Sequence, residues 1–245
     1  MENHYKIVNK SYRVGELIST SKNIDIKRKY RFKELTHLFN LIYNVSLKHD
    51  IAVHKIIELI HTQNLTSIKV NEHISNSIIE IKNEIERTKF NIRREFRYFN
   101  DFILDKVRKD TFKENGNRLP DRFESHFFFK TIDDCIKYLT RLKSMDHRKK
   151  SWLYFKIFHI VEVVFIDQKN QHIGDNNLLT YFSNTYTSTD FYNQARDYLF
   201  SKNSLSPLKE IVFQGKYKVI NKTKVLLFQK FYISFKPFKL GSFYC

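Results

Sequence analysis

Glycine is scarce, at 5 of 245 residues where about 7% is usual. Gly15, Gly116, Gly174, Gly215 and Gly241 stand so far apart that neither a Walker A loop nor a GxGxxG turn can be written. P-loop ATPases and Rossmann dehydrogenases are excluded on that ground. Cysteine is scarcer still: Cys135 and Cys245 make neither a disulfide framework nor a zinc set, and they fit a reducing compartment. No HExxH, CxxC or EF-hand spacing exists, so no metal cofactor is expected. The dipeptide His49-Asp50 sits at an expected helix junction, where Asp50 reads as a cap rather than a ligand. No apolar run approaches the 18 residues of a membrane span. The longest, 157–166, is interrupted by His159 and Glu162. The first residues have no signal-peptide pattern, which leads to the expectation of a cytoplasmic protein without a membrane partner.

Acidic residues are few beside basic ones. Lys and Arg number 43 and Asp and Glu 26, for a net charge of +17. A surface so charged repels itself unless anions screen it, which points to a nucleic acid or another phosphate-bearing partner. An AT-rich coding bias raises Lys, Asn and Ile together but does not explain the excess of Lys and Arg over Asp and Glu. Hydrophobic residues make up 42% of the chain and aromatics 16%, enough for a substantial core in one domain of residues 1–245.

Residues 5–8 and 13–18 are short β-prone runs that read as an N-terminal hairpin. A basic stretch at 27–31 leads into a helical block expected over about 30–110. Leu35, Leu38, Ile42 and Val45 recur at helical spacing. From Ser77 to Lys109, Ile78, Ile81, Ile85, Ile92, Phe96, Phe99, Ile103 and Val107 trace one stripe. Arg93, Arg94 and Arg97 cluster beside it, interleaved with Phe96, Tyr98 and Phe99, as a candidate phosphate-contacting stripe for nucleic acid. Residues 125–130 look like a strand. Thr131 reads as an N-cap with Asp133 and Asp134 in the first turn. A β-rich stretch at 152–166, a polar loop through Gly174, helices near 178–184 and 190–200, and strands over 210–235 complete an α+β pattern.

Three separated pieces carry a more specific signal. The first is His4-Tyr-Lys-Ile-Val-Asn-Lys-Ser-Tyr-Arg-Val-Gly-Glu-Leu-Ile18. The second runs from Arg118-Leu-Pro-Asp-Arg-Phe-Glu-Ser-His-Phe-Phe-Phe-Lys130 into the helix that follows. The third runs from Ala195-Arg-Asp-Tyr198 to Pro207-Leu-Lys-Glu-Ile-Val-Phe-Gln-Gly-Lys-Tyr-Lys-Val-Ile220. In order and content they resemble ADP-ribosyltransferases of the diphtheria-toxin and poly(ADP-ribose) polymerase kind, above all small bacterial toxin-type members. About 70 of the 245 residues are covered.

The resemblance implies a split antiparallel β-sheet that clamps NAD as co-substrate, with the helical block inserted after the N-terminal strands. Glu210 matches the family's late-strand Glu, which stabilises positive charge as nicotinamide leaves. Ser125 and Phe127 match the segment that shapes the nicotinamide pocket, and Arg122 matches the Arg before it, suited to a pyrophosphate. At the first strand this chain departs from the family's Tyr-His. Lys6 stands where the His would be, and His4 lies two residues earlier on the same strand face. Either can donate to the nicotinamide ribose or carboxamide. The implied activity is ADP-ribose transfer to a macromolecule, with the positive charge favouring RNA or DNA as acceptor. A toxin or anti-phage effector of this kind implies a neutralising antitoxin protein. The alternatives are a non-catalytic basic nucleic-acid-binding module, or a metal-independent ribonuclease with His and Lys as acid and base.

Overall fold

The computed structural model describes residues 2–8, 12–22, 26–61, 72–91, 95–116, 118–145, 156–179, 183–205, 207–227 and 232–235. It divides into two compact units. One comprises 1–23, 124–173 and 208–245; the other comprises 24–123 and 174–207. The mixed α+β class expected from the pattern is observed.

The first unit is built on six antiparallel strands: β1 (Asn3–Val8), β2 (Leu17–Ser19), β3 (His126–Phe128), β4 (Lys156–Asp175), β5 (Lys209–Leu227) and β6 (Tyr232–Phe235). They form one connected sheet in the order β1-β4-β5-β2, with β3 and β6 also on β5. The split anticipated from the resemblance is not present as a break in hydrogen bonding. Two backbone bonds between Tyr5 and Phe129, of 2.8 and 2.7 Å, tie β1 to the end of β3. The pairings therefore return on themselves, β1 to β4 to β5 to β3 to β1.

The expected N-terminal hairpin does not form. β1 pairs with β4, with Asn3 opposite Val164, whereas β2 pairs with β5, with Ile18 opposite Tyr217. A turn at Gly15, φ +89°, feeds β2 onto β5 through Gly15 N–H to Val219 O at 2.8 Å. The polar stretch 167–174, expected as a loop, continues β4. Gly215 explains how β4 and β5 run so close there: a Cβ would fall on the carbonyl of Asp167, and its φ is +150°.

Apolar side chains leave the sheet on both faces. One face holds Val8, Ile18, Phe128, Val161, Val163, Ile211, Phe213 and Tyr217. The other holds Phe129, Ile160, Leu208 and Val225 with Tyr5 and Ile7, covered by Cys135, Ile136 and Leu139 of α5 (Ile132–Met145). That helix begins as its sequence predicts, the Thr131 hydroxyl accepting from Asp134 N–H at 3.1 Å.

The second unit holds α1 (Ile26–His49), α2 (Val53–His61), α3 (Glu72–Thr88), α4 (Arg97–Asn115) and α6 (Ser188–Leu199). It contains the helical block expected over 30–110 and adds 174–207. Leu35, Leu38, Phe39 and Ile42 of α1 are fully buried with Ile56, Ile78, Ile81 and Phe99, and Phe39 meets Phe90, Phe99 and Phe102 in a ring cluster. The stripe from Ser77 to Lys109 is not one helix: α3 stops at Thr88, and Lys89 turns left-handed at φ +49°. Arg31 holds this break. Its guanidinium forks onto Glu95 at 2.7 and 2.6 Å and donates to the carbonyl of Thr88 at 2.9 Å. Near 178–184, only a short 3-10 turn at Asn176–Leu179 is seen among the described residues. No helix among them is long and apolar enough to cross a membrane.

Candidate functional site

Strand alternation sorts the candidate residues of the sheet unit. On β1, His4 stacks on Phe165 with centroids 4.1 Å apart. Lys6 places its ammonium 5.1 Å from the centre of the Phe128 ring, and Val8 joins the same cluster. All three lie on the face of Phe128, Ile211 and Phe213. Tyr5 and Ile7 point to the opposite face.

On β3 and β5, the pairs Phe128–Ile211 and His126–Phe213 share the face of His4 and Lys6, and the intervening pair Phe127–Val212 takes the other. Glu210, next to Ile211, is on the face of Phe127, Val212 and Tyr5. The residues expected to converge therefore divide. Phe127 and Glu210 share a face on neighbouring strands; His4 and Lys6 lie behind them. The first-strand side chain on the Glu210 face is Tyr5. Sequence reasoning quoted it only as part of a motif, although alternation with the two candidates beside it was the signal that separates it from them.

Glu210 is 3% exposed and Ser125, just before β3, is buried; Phe127 is half-buried. Tyr5 donates its hydroxyl to Glu162 Oε1 at 3.3 Å, an atom that also accepts from Asn3 Nδ2 at 2.8 Å. Asn221 Nδ2 donates to Oε2 at 3.3 Å. Burial, then the Glu162 carboxylate, raises the Tyr5 phenol, so Tyr5 serves as a neutral donor at physiological pH.

On the opposite face the basic groups are poorly compensated. His4 is 6% exposed and its Nδ1 has no hydrogen-bond partner. Burial, offset by Glu2 and reinforced by Lys130, lowers its imidazole. Lys6 is half-buried overall, but protein atoms crowd its ammonium and push its pKa down to about 7. Deeper in, His126 Nδ1 and Tyr217 Oη share a hydrogen bond of 2.8 Å. Burial, then Tyr12, raises the Tyr217 phenol.

Arg122 belongs to the helical unit. It donates to Tyr198 Oη at 2.8 Å, lies over that ring at 5.5 Å and stands 3.9 Å from Asp101. Arg93 and Arg94 lie outside the described residues. Arg97 opens α4, with its side chain likewise outside the described set.

Fold and site together define a mixed protein: an antiparallel sheet with a buried strand carboxylate on one face and an under-compensated His-Lys pair on the other. No protein-family model matches the chain, and no curated protein matches it.

Proposed function

We propose that this chain transfers ADP-ribose from NAD to a nucleic-acid acceptor, with Glu210 as the carboxylate that stabilises the reaction's cationic transition state. The observation that carries the reading is the placement of Glu210. It is a buried carboxylate on the strand that pairs with β2, β3, β4 and β6, and it shares a face with Phe127 of β3 and Tyr5 of β1. A carboxylate fixed on a strand is pre-organised, and electrostatic stabilisation works best from such a position.

In the proposed reaction the bond between ribose C1′ and the nicotinamide nitrogen breaks, and nicotinamide leaves with the electron pair. Glu210 faces the resulting oxocarbenium charge. A nucleophilic atom of the acceptor forms the new bond to C1′ and loses a proton to solvent. Phe127, on the neighbouring strand, supplies ring surface on the face of the carboxylate, and Ser125 a hydroxyl before β3. His4 and Lys6 have no part in this step, because they occupy the other face. The net charge of +17 favours RNA or DNA as acceptor. A transferase of this kind fits a toxin or anti-phage effector whose cell needs a neutralising protein.

The test is transfer of label from NAD to RNA, DNA and lysate. The wild type should label one of them, and Glu210→Gln, which keeps size and hydrogen bonding but not charge, should lose about 10²–10³-fold in rate, roughly 3–4 kcal/mol. Equal labelling by both proteins removes Glu210 from the chemistry. No labelling by the wild type, together with salt-sensitive RNA or DNA binding, favours a binding module; shortening of the RNA without added mass favours a ribonuclease.

A further inference from the structure

We propose that His4 and Lys6 together form a receiving site for a phosphate-sized oxyanion, on the sheet face opposite Glu210 and independent of the transferase reading. Both side chains project from one face of β1, two residues apart. Nδ1 of His4 is buried without a hydrogen-bond partner among the described residues, and half-buried Lys6 holds its ammonium over the Phe128 ring. Native proteins satisfy nearly all buried polar atoms, so an orphan ring nitrogen beside a lysine ammonium needs an explanation. Leaving a polar atom buried and unpaired is costly, more so when it carries charge. A ligand that accepts from both removes that cost.

Residues two apart on a strand have Cα atoms about 6.6–6.8 Å apart, so one small ligand can meet both side chains. The walls are aromatic. Phe165 stacks on His4 and against Phe213 at 3.9 Å, while Phe128 underlies Lys6. These rings offer no competing carboxylate or carbonyl acceptor. Lys6 keeps part of its surface, which gives the ion a way in.

The surrounding charges agree. The charged groups that act on His4 are Glu2 and Lys130, and these pair with each other at 3.6 Å. From β4, the residues opposite His4 and Lys6 are Val163 and Val161. From β3 and β5, Phe128, Ile211 and Phe213 face the pair, with His126 and Tyr217 bonded to each other. No carboxylate from these strands faces Lys6. A cation in this setting gains more from an anion than one at the surface does, because little water screens the attraction.

The experiment measures binding of inorganic phosphate and of a 5′-phosphorylated oligoribonucleotide by calorimetry and by thermal melt, against chloride at matched ionic strength. Three variants join the wild type: Lys6→Met, His4→Phe, which keeps a ring on Phe165, and Lys218→Met on the exposed part of β5. The wild type should bind and melt higher in one or both ligands. Lys6→Met should bind at least about tenfold more weakly, the loss expected for a charge-assisted hydrogen bond, and His4→Phe should also weaken binding, while Lys218→Met should match the wild type. Binding of phosphate alone identifies a free ion as the ligand; binding of the oligonucleotide alone identifies a nucleic-acid phosphate. Failure of the wild type to bind either, or equal losses in Lys6→Met and Lys218→Met, overturns the proposal. Transfer activity plays no part in the readout, so a failed transferase reading leaves this result interpretable.

Discussion

Replacing Lys6 by Met should make the protein more stable, and by an amount that depends on pH. A lysine free in water titrates near 10.5, and in the fold Lys6 is pushed down to about 7 because its ammonium is desolvated. Below about pH 7 both folded and unfolded chains carry the proton, and the folded state bears the whole desolvation cost. Between about 7 and 10.5 the folded chain sheds the proton while the unfolded chain keeps it, so stability rises with pH. Above that window neither state is charged and the cost is gone. The fall from 10.5 to about 7 corresponds to about 5 kcal/mol, at about 1.36 kcal/mol for each tenfold change in proton affinity. Because Lys6 retains part of its surface, solvent screening reduces this ceiling to about 2–3 kcal/mol. Met matches the length of the stem and carries no charge. The assay is urea unfolding of both proteins at pH 6.5, 8.0, 9.5 and 10.5, with the difference taken at each pH so that the other lysines cancel. Lys6→Met should lead by about 2–3 kcal/mol at pH 6.5 and by little at pH 10.5. A difference that does not change with pH, or a variant less stable throughout, refutes the reasoning.

Arg31→Ala should cost about 3 kcal/mol of unfolding free energy measured in urea, since it leaves Glu95, only 3% exposed, without its forked guanidinium; loss of less than about 1 kcal/mol would show that water replaces the pair. Gly215→Ala should lower the melting temperature sharply or prevent folding of the sheet unit, because the new methyl group meets the Asp167 carbonyl at a φ that side chains rarely adopt. An unchanged melt would mean that β4 and β5 move apart without cost. Replacing Arg93, Arg94 and Arg97 together by Gln should flatten the salt dependence of nucleic-acid binding by up to about 0.9 log units per lost phosphate contact. An unchanged slope assigns all three to ordinary solvated surface.

Local chemistry was legible in the sequence where it acts over a few residues. The Thr131 cap, the apolar spacing of Leu35, Leu38 and Ile42, and the β-prone run from Ile211 to Phe213 each declare themselves. Partners distant in sequence did not. Nothing in residues 5–18 says that β1 belongs to β4 and β2 to β5, because both runs have the same alternation a hairpin would have. The stretch from Asp167 to Gly174 reads as a loop because its residues are polar, yet backbone pairing makes it strand. The stripe from Ser77 to Lys109 stays apolar through a left-handed break at Lys89, since burial on either side of a bend selects the same residue types. At the candidate site, Glu210 and Phe127 were singled out through their motifs, but their separation from His4 and Lys6 follows from cross-strand register, which a single sequence does not carry.

The pairing of β1 with β4 also sets an order of events during synthesis. Asn3 and Glu162 are bonded across 159 residues, and a ribosome adds about 5–20 residues per second. The first strand therefore waits roughly 8–30 s before its partner leaves the exit tunnel, holding out Ile7 and Val8 with their backbone donors unmatched. During that interval the chain from α1 to α4 emerges ahead of β4, and its helices, rich in local contacts, can form early. A nascent chain in this state presents a bare, apolar strand, the kind of segment that holdase chaperones grip. Slowing translation between residues 124 and 164 should lengthen that exposure and lower the soluble yield, while the same slowing after β4 is complete should not.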